Sequence, residues 1–146
     1  MEPTKAKPVI DFNLINSLNE SNQEIIKLSN AAFESTKDIE TLRLLLVIKK
    51  NHQEIDSELE KLTQKNLIFI PKLIYNTNTS PDFLKLKNAD SYLFKELLKE
   101  IKNQMALFDS IENTTQNIDF RIFAMKSKKK LQIDSKALNI TLTHLE

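Results

Sequence analysis

The sequence contains no cysteine and no glycine, and each absence excludes a class of function. Without cysteine there is no disulfide, no thiol nucleophile and no thiolate ligand for a metal. Without glycine there is no phosphate-binding loop and no dinucleotide-binding turn, because both need glycine where the backbone approaches the ligand closely. No catalytic signature remains, and we expect the chain not to be an enzyme.

Histidine, surplus charge and long apolar runs are scarce as well. The two histidines, His52 and His144, cannot form a three-histidine metal site within one chain. The 21 Lys and Arg residues nearly balance the 20 Asp and Glu residues, which argues against nucleic acid as the partner. The dense basic run, Lys126 with Lys128–Lys130, is interpreted as the solvated side of a helix. No apolar run is long enough to predict a membrane span.

Apolar residues recur at spacings of three and four, which predicts four amphipathic helices. We expect helices over residues 11–34, 37–65 and 89–113, and a fourth that Asn117 caps. Asp11 is suited to cap the first helix, and Ser35 with Thr36 to end it and cap the second. The predicted inward stripes are Phe12, Ile15, Leu18, Ile25, Ile26, Leu28, Ala32 and Phe33 on the first helix, Leu45, Ile48, His52, Ile55, Leu59 and Leu62 on the second, Leu93, Leu97, Ile101, Gln104, Phe108 and Ile111 on the third, and Phe120, Phe123, Ala124, Leu131, Leu138, Leu142 and Leu145 on the fourth.

A connector over residues 66–88 separates the second and third predicted helices. Fully extended it reaches about 70 Å, whereas the second helix is only about 42 Å long. The connector can therefore run the length of a bundle, so that the second and third helices lie parallel. The sequence predicts an all-α fold: one four-helix bundle of ferritin-like shape over residues 11–146, made of two helical hairpins joined by a long crossover, behind a disordered lead over residues 1–10.

Three stretches resemble a known family. Asp38–Leu62 is similar to a family helix that ends in an Asp-His pair followed by Glu-Leu, with Asn51 here in place of the Asp. Asn66–Pro71 with Ala89–Asp109 has Tyr92 and the Leu107-Phe108 pair at matching places, and Ile118–Lys126 looks like the family's Asp-x-x-Lys-x-Phe-Ala-x-Lys run. The family is the bacterial domain-of-unknown-function 4142 family of ferritin-like proteins, often described as predicted outer-membrane or exported proteins. The resemblance implies a ferritin-like bundle without established activity and a periplasmic or outer-membrane-associated location, although no signal peptide is recognised in the sequence.

The resemblance also implies polar residues that point into the bundle. His52 matches the histidine of the family's second helix, and the fourth-helix histidine falls on Asp134. The third-helix histidine falls on Ile101 or beside Glu100, and Glu24 is the carboxylate nearest the first-helix glutamate. On this interpretation His52, Asp134, Glu24 and Glu100 would bind iron or another divalent metal.

The residues themselves leave two interpretations of His52 open. Ile48, Ile55 and Leu59 share its face, so the imidazole should be buried. It is either a metal ligand or a core histidine hydrogen-bonded to one buried partner. Asp134, between Leu131 and Leu138, is the partner we favour; a His52–Asp134 pair across the bundle would raise the pKa of His52.

Two hypotheses for the function follow. The leading one is a non-enzymatic structural or interaction module without a cofactor, in which Glu24 and Glu100 are ordinary surface residues. The alternative is a carboxylate–histidine bundle that binds iron at a degenerate site. Apolar residues off the main stripes, Ile26, Leu46 and Ile140, would cover either the crossover or a second copy of the chain, so a homo-oligomer is an open prediction.

Overall fold

The computed structural model of the protein describes residues 10–70 and 89–145, and these form four helices and no strand. The helices are α1 (Phe12–Ser35), α2 (Ile39–Lys65), α3 (Ala89–Thr114) and α4 (Ile118–Leu145). The chain is an all-α four-helix bundle, as the apolar periodicity predicts. Residues 1–9 of the predicted lead over 1–10, and residues 71–88 of the predicted crossover over 66–88, lie outside the described residues.

Polar side chains at the helix starts explain where the helices begin. The Asp11 carboxylate accepts the backbone N–H of Asn13 at 2.9 Å and caps α1. The Asn117 side-chain oxygen accepts the Phe120 N–H at 3.1 Å and caps α4. Both caps were predicted from the sequence.

The predicted cap of α2 was wrong. Thr36 does not begin α2, because its N–H donates to the Ala32 carbonyl and closes α1. The cap is Asp38, whose carboxylate accepts the hydroxyl of Thr41 at 2.7 Å and its N–H at 3.0 Å. These two hydrogen bonds to Thr41 lower the pKa of Asp38.

The C-terminus of α2 shows what the lack of glycine does to a helix end. The Ile68 N–H donates to the Thr63 carbonyl and the Leu67 N–H to the Gln64 carbonyl, which is a Schellman motif. This motif places its central residue in the left-handed region, usually glycine, but here Leu67 occupies it with φ of 57°. Ile68 then turns inward and packs against the core.

The helices form a ring in the order α1, α2, α4, α3. Ser35 at the end of α1 donates to Asp90 at the start of α3, and Lys65 at the end of α2 pairs with Asp119 at the start of α4. Each helix is therefore antiparallel to its two neighbours, and α2 is parallel to α3 across one diagonal. The ends of the 66–88 connector lie at opposite ends of the bundle, as the two-hairpin prediction requires.

The core is closely packed around phenylalanine and leucine side chains. Phe94, Phe108 and Phe120 are fully buried, and the ring of Phe108 meets that of Phe123 edge-on at 5.5 Å. All six residues of the predicted α3 stripe are buried, and so are the predicted α4 residues, except Leu145, whose side chain is outside the described part.

The predicted α1 stripe was wrong at its ends. Phe12 is 49% exposed and Phe33 is 38% exposed. Six of the buried residues of α1 follow the three-and-four spacing without a break: Ile15, Leu18, Asn22, Ile25, Ser29 and Ala32. Two of them, Asn22 and Ser29, are polar, and a search for apolar residues alone misses them. None of the described helices is sufficiently long and apolar to cross a membrane.

Candidate functional site

Three polar side chains from three helices meet inside the core. Asn22 of α1, His52 of α2 and Gln104 of α3 are each fully buried. His52 Nδ1 lies 2.8 Å from Asn22 Oδ1, and Gln104 Nε2 donates to the same oxygen at 3.2 Å. Asn22 Nδ2 in turn donates to the His52 backbone carbonyl at 2.7 Å. Asn22 is therefore the centre of the cluster.

The hydrogen bonds of Asn22 fix the proton on the imidazole. Because Asn22 Nδ2 must face the His52 carbonyl oxygen, the other end of the amide, Oδ1, faces the ring. An amide oxygen only accepts, so His52 carries its proton on Nδ1 and has a lone pair on Nε2. Within the described part of the chain, neither His52 Nε2 nor Gln104 Oε1 has a hydrogen-bond partner.

Burial keeps this histidine neutral. Removal from water lowers the pKa of His52 to about 3, because the imidazolium form would be charged in the core. The prediction of a raised pKa was therefore wrong. Its premise was a carboxylate beside the ring, and the ring faces amide groups instead.

Asp134 has a different partner from the one predicted. It is 2% exposed, and its carboxylate accepts Asn51 Nδ2 at 2.9 Å. Asn51 precedes His52 on α2, and one residue along a helix turns the side chain by about 100°; Asn51 thus faces α4, whereas His52 faces α1 and α3. The predicted His52–Asp134 pair is not formed. Burial raises the pKa of Asp134, against the smaller opposing effects of Asn51 and Lys130.

The other two proposed metal ligands share a surface groove between α1 and α3. Glu24 and Glu100 both line it. Glu100 accepts the Ser21 hydroxyl at 2.7 Å and the Asn103 amide at 2.9 Å, so its carboxylate has two donors. Glu24 is partly exposed in the same groove.

The four predicted ligands are thus divided among three places. His52 lies in the core, Asp134 lies between α2 and α4, and Glu24 with Glu100 lies on the α1–α3 surface. Across residues 10–70 and 89–145, no three His, Asp or Glu side chains come together to hold a metal ion.

Sequence reasoning missed Asn22 as the residue that binds His52. On the first helix the predicted stripe contained apolar residues only, and Asp134 was the partner predicted for His52. Extending the spacing from Ile15 and Leu18 leads to Asn22 and then to Ser29, which is also fully buried. That periodicity was the available signal. Gln104 was placed on its stripe correctly, but its partner was not predicted.

Helix α4 has apolar residues on its solvent side as well as on its core side. We define the outer face of α4 as eight exposed residues: Ile118, Ile122, Met125, Lys126, Lys129, Ile133, Lys136 and Ile140. Its five apolar members are between 41% and 69% exposed. Ile133 is 69% exposed, although Leu131, two residues earlier, is fully buried. The outer face contains lysines and no carboxylate.

The basic run on α4 divides between paired and unpaired lysines. Lys128 bonds to Glu112 at 2.7 Å and to Asp109 at 3.1 Å, which raises its pKa, and Lys130 pairs with Glu54 at 3.1 Å. These two lysines link α4 to α3 and α2. In the part of the chain that the structure describes, Lys126, Lys129 and Lys136 have no ion pair.

Comparison of the chain with protein-family models, with curated proteins and with solved structures gives no match.

Proposed function

We propose that the chain is a non-enzymatic interaction module, which binds its partner through the outer face of α4. The observation that carries this proposal is the row of five exposed apolar side chains on one helix of a bundle whose core is complete without them. A helix that is apolar on two sides is normally covered on both.

The buried polar cluster supports a structural role rather than catalysis. Asn22, His52 and Gln104 have no access to solvent, and the His52 imidazole is neutral well below physiological pH. A group that no substrate can reach has no means of transferring a proton to it. The cluster instead gives the α1–α2–α3 packing one register, because other registers would leave these polar groups unpaired.

We also propose that the bundle is of the ferritin-like kind and that the chain is an exported bacterial protein of the domain-of-unknown-function 4142 family. The ferritin-like assignment is supported by the parallel arrangement of α2 and α3, whose connector joins opposite ends of the bundle. The family assignment is supported by the resemblance of Asp38–Leu62 and Ile118–Lys126 to the family's sequence.

The experiment compares the size of the protein in extracts of its own host with that of the purified chain. We expect the host protein to migrate above its 16.9 kDa monomer mass, and an Ile133→Glu, Ile140→Glu double variant to migrate as the monomer. The control is Lys50→Glu with Lys102→Glu, on exposed positions of α2 and α3, which should migrate like the wild type. A monomeric wild type in the host would contradict the proposal.

Elemental analysis of the purified chain tests the metal-binding alternative. On our proposal iron, manganese and zinc are present at far below one atom per chain. One metal atom per chain, lost on His52→Ala but retained on Glu100→Gln, would instead establish a histidine metal site and favour the metal-binding alternative.

A further inference from the structure

We infer that the partner at the outer face of α4 is an amphipathic helix with acidic residues beside its apolar stripe. This inference rests on the proposed function and names the chemistry of the partner. Three observations carry it: the spacing of the exposed apolar residues, the sign of the charges among them, and the positions of the connector ends.

The spacing is that of a helix-packing stripe. From Ile118 to Ile140 the outer face advances by four, three, four, four, three and four residues, through Lys129 and Lys136. This is an 11-residue repeat, which keeps a stripe nearly straight along an α-helix. The stripe is about 33 Å long and about one side chain wide. Such a narrow ridge fits the groove of another helix packed alongside.

The charges on this face are all positive. Lys126, Lys129 and Lys136 lie in or beside the stripe and have no ion pair among the described residues, whereas Lys128 and Lys130 are neutralised within the bundle. A partner that buries Ile122 and Ile133 brings its own residues next to these ammonium groups. Carboxylates there would be attracted and ammonium groups would be repelled.

The same charges disfavour two other occupants. A second copy that used this face in an antiparallel α4 pair would place Lys129 against Lys129, because the two-fold axis would pass near this residue, midway between Ile118 and Ile140. An anionic bilayer attracts lysines, but a helix that lies in the membrane interface needs a broad apolar face. Here Lys129 and Lys136 interrupt a narrow stripe that contains no aromatic residue.

The connector begins beside the N-terminus of α4, where Asn66 accepts the Asn117 side-chain amide at 3.0 Å, and its described residues then lead toward α1. Ile68 and Ile70, at its beginning, line a groove with Asn19 and Gln23 of α1. At its end, Asp90 accepts a hydrogen bond from Ser35 of α1. Helix α1 is diagonal to α4 in the bundle. These contacts favour an occupant from outside the chain.

The experiment measures binding of two synthetic helical peptides to the full chain. Both are about as long as α4 and have leucines at helical spacing; one carries glutamates beside the leucines and the other carries lysines. We expect the glutamate peptide to bind at least about tenfold more tightly than the lysine peptide. Added salt should reduce this preference.

Charge reversal on the protein is the decisive variant. Lys126→Glu with Lys129→Glu and Lys136→Glu should invert the preference between the peptides. The matched control, Lys50→Glu with Lys99→Glu and Lys102→Glu, changes the net charge equally at exposed positions of α2 and α3 and should preserve the order. Circular dichroism melting establishes that both triple variants are folded. Equal binding of the two peptides, or an equal effect of the control, would overturn the inference.

Two further measurements separate failure of this inference from failure of the proposed function. Sedimentation velocity detects self-association, and pelleting with phosphatidylserine vesicles detects lipid binding. If self-association or lipid binding occurs and is lost on Ile133→Glu with Ile140→Glu, the inference of an acidic helical partner is overturned. The outer face then remains an interaction site. If the peptides, the vesicles and a second copy all fail to bind and the host protein is monomeric, both proposals fail.

Discussion

His52 and Asp134 are both buried ionisable side chains, but they lie on opposite sides of α2. His52 faces α1 and α3 and meets the Asn22 amide, whereas Asp134 reaches α2 from α4 and meets the Asn51 amide. Desolvation lowers the pKa of the imidazole and raises that of the carboxyl group. In both places burial opposes the charged form, and the amide partner does not restore it. The two sites should therefore respond to acid in opposite directions.

The largest expected effect is acid destabilisation through His52. Between its ordinary pKa of 6.5 and its folded pKa of about 3, the unfolded chain binds a proton that the folded chain does not. The contribution of the neutral His52 imidazole to the free energy of unfolding is fully present above pH 6.5. It is lost as the pH falls, at up to about 1.4 kcal/mol per pH unit. Urea unfolding of the wild type and of His52→Gln across this range measures it. Parallel pH profiles of the two proteins would show that burial does not control this histidine.

The second effect is the loss of the Asn22 amide. Asn22→Ala removes the acceptor of His52 Nδ1 and of Gln104 Nε2 and leaves both buried donors unpaired. We expect the free energy of unfolding to fall by roughly 3 kcal/mol. The control is Asn16→Ala, which removes a surface hydrogen bond to Glu20 and should cost under about 0.5 kcal/mol. Similar losses in the two variants would mean that the core cluster adds no stability beyond a surface bond.

The third effect has the opposite sign and belongs to Asp134. Because its folded pKa is raised above the ordinary 3.8, the folded chain holds its proton more tightly than the unfolded chain. Its stabilising contribution is present below pH 3.8 and is lost as the pH rises through the folded pKa. Asp134→Asn, which keeps an amide partner for Asn51, should therefore stabilise the bundle near pH 7 and change its stability little at low pH.

Chemical denaturation of Asp134→Asn at neutral and acid pH measures this gain. Asp109→Asn is the control, because Asp109 is an exposed partner of Lys128 with 58% of its side chain accessible, and its loss should change stability little. A destabilised Asp134→Asn variant at neutral pH would show that the Asn51 hydrogen bond and Lys130 outweigh desolvation, and that the two sides of α2 differ in kind.

The bundle was predictable from the sequence because burial of apolar side chains imposes a helical period, as the α3 stripe from Leu93 to Ile111 shows. The pairing of the buried polar residues could not be predicted, because consecutive residues of α2 face different neighbouring helices. Asn51 rather than His52 therefore reaches Asp134. The cap at Asp38 was misplaced because Ser35, Thr36 and Asp38 all have suitable side chains, and only the backbone decides among them. The outer face of α4 was recognised at Ile140 alone, since apolar residues on both sides of a helix weaken its periodic signal.

The smallest expected effect is that of Ser29→Ala. It measures the cost of burying an unpaired hydrogen-bonding group without the cost of burying a charge. Ser29 is fully buried, cannot ionise near neutral pH, and within residues 10–70 and 89–145 its hydroxyl has no hydrogen-bond partner. Ser29→Ala removes that hydroxyl and introduces a better helix former, so we expect a gain of roughly 0.5–1 kcal/mol at every pH. Ser21→Ala is the matched control on the same helix, because its hydroxyl donates to Glu100 at 2.7 Å, and it should lose stability. If urea unfolding shifts both variants in the same direction, helix propensity rather than hydrogen-bond pairing governs the serines of α1. The stability changes of the His52 and Asp134 variants would then also have to be corrected for the helix propensities of the substituted residues.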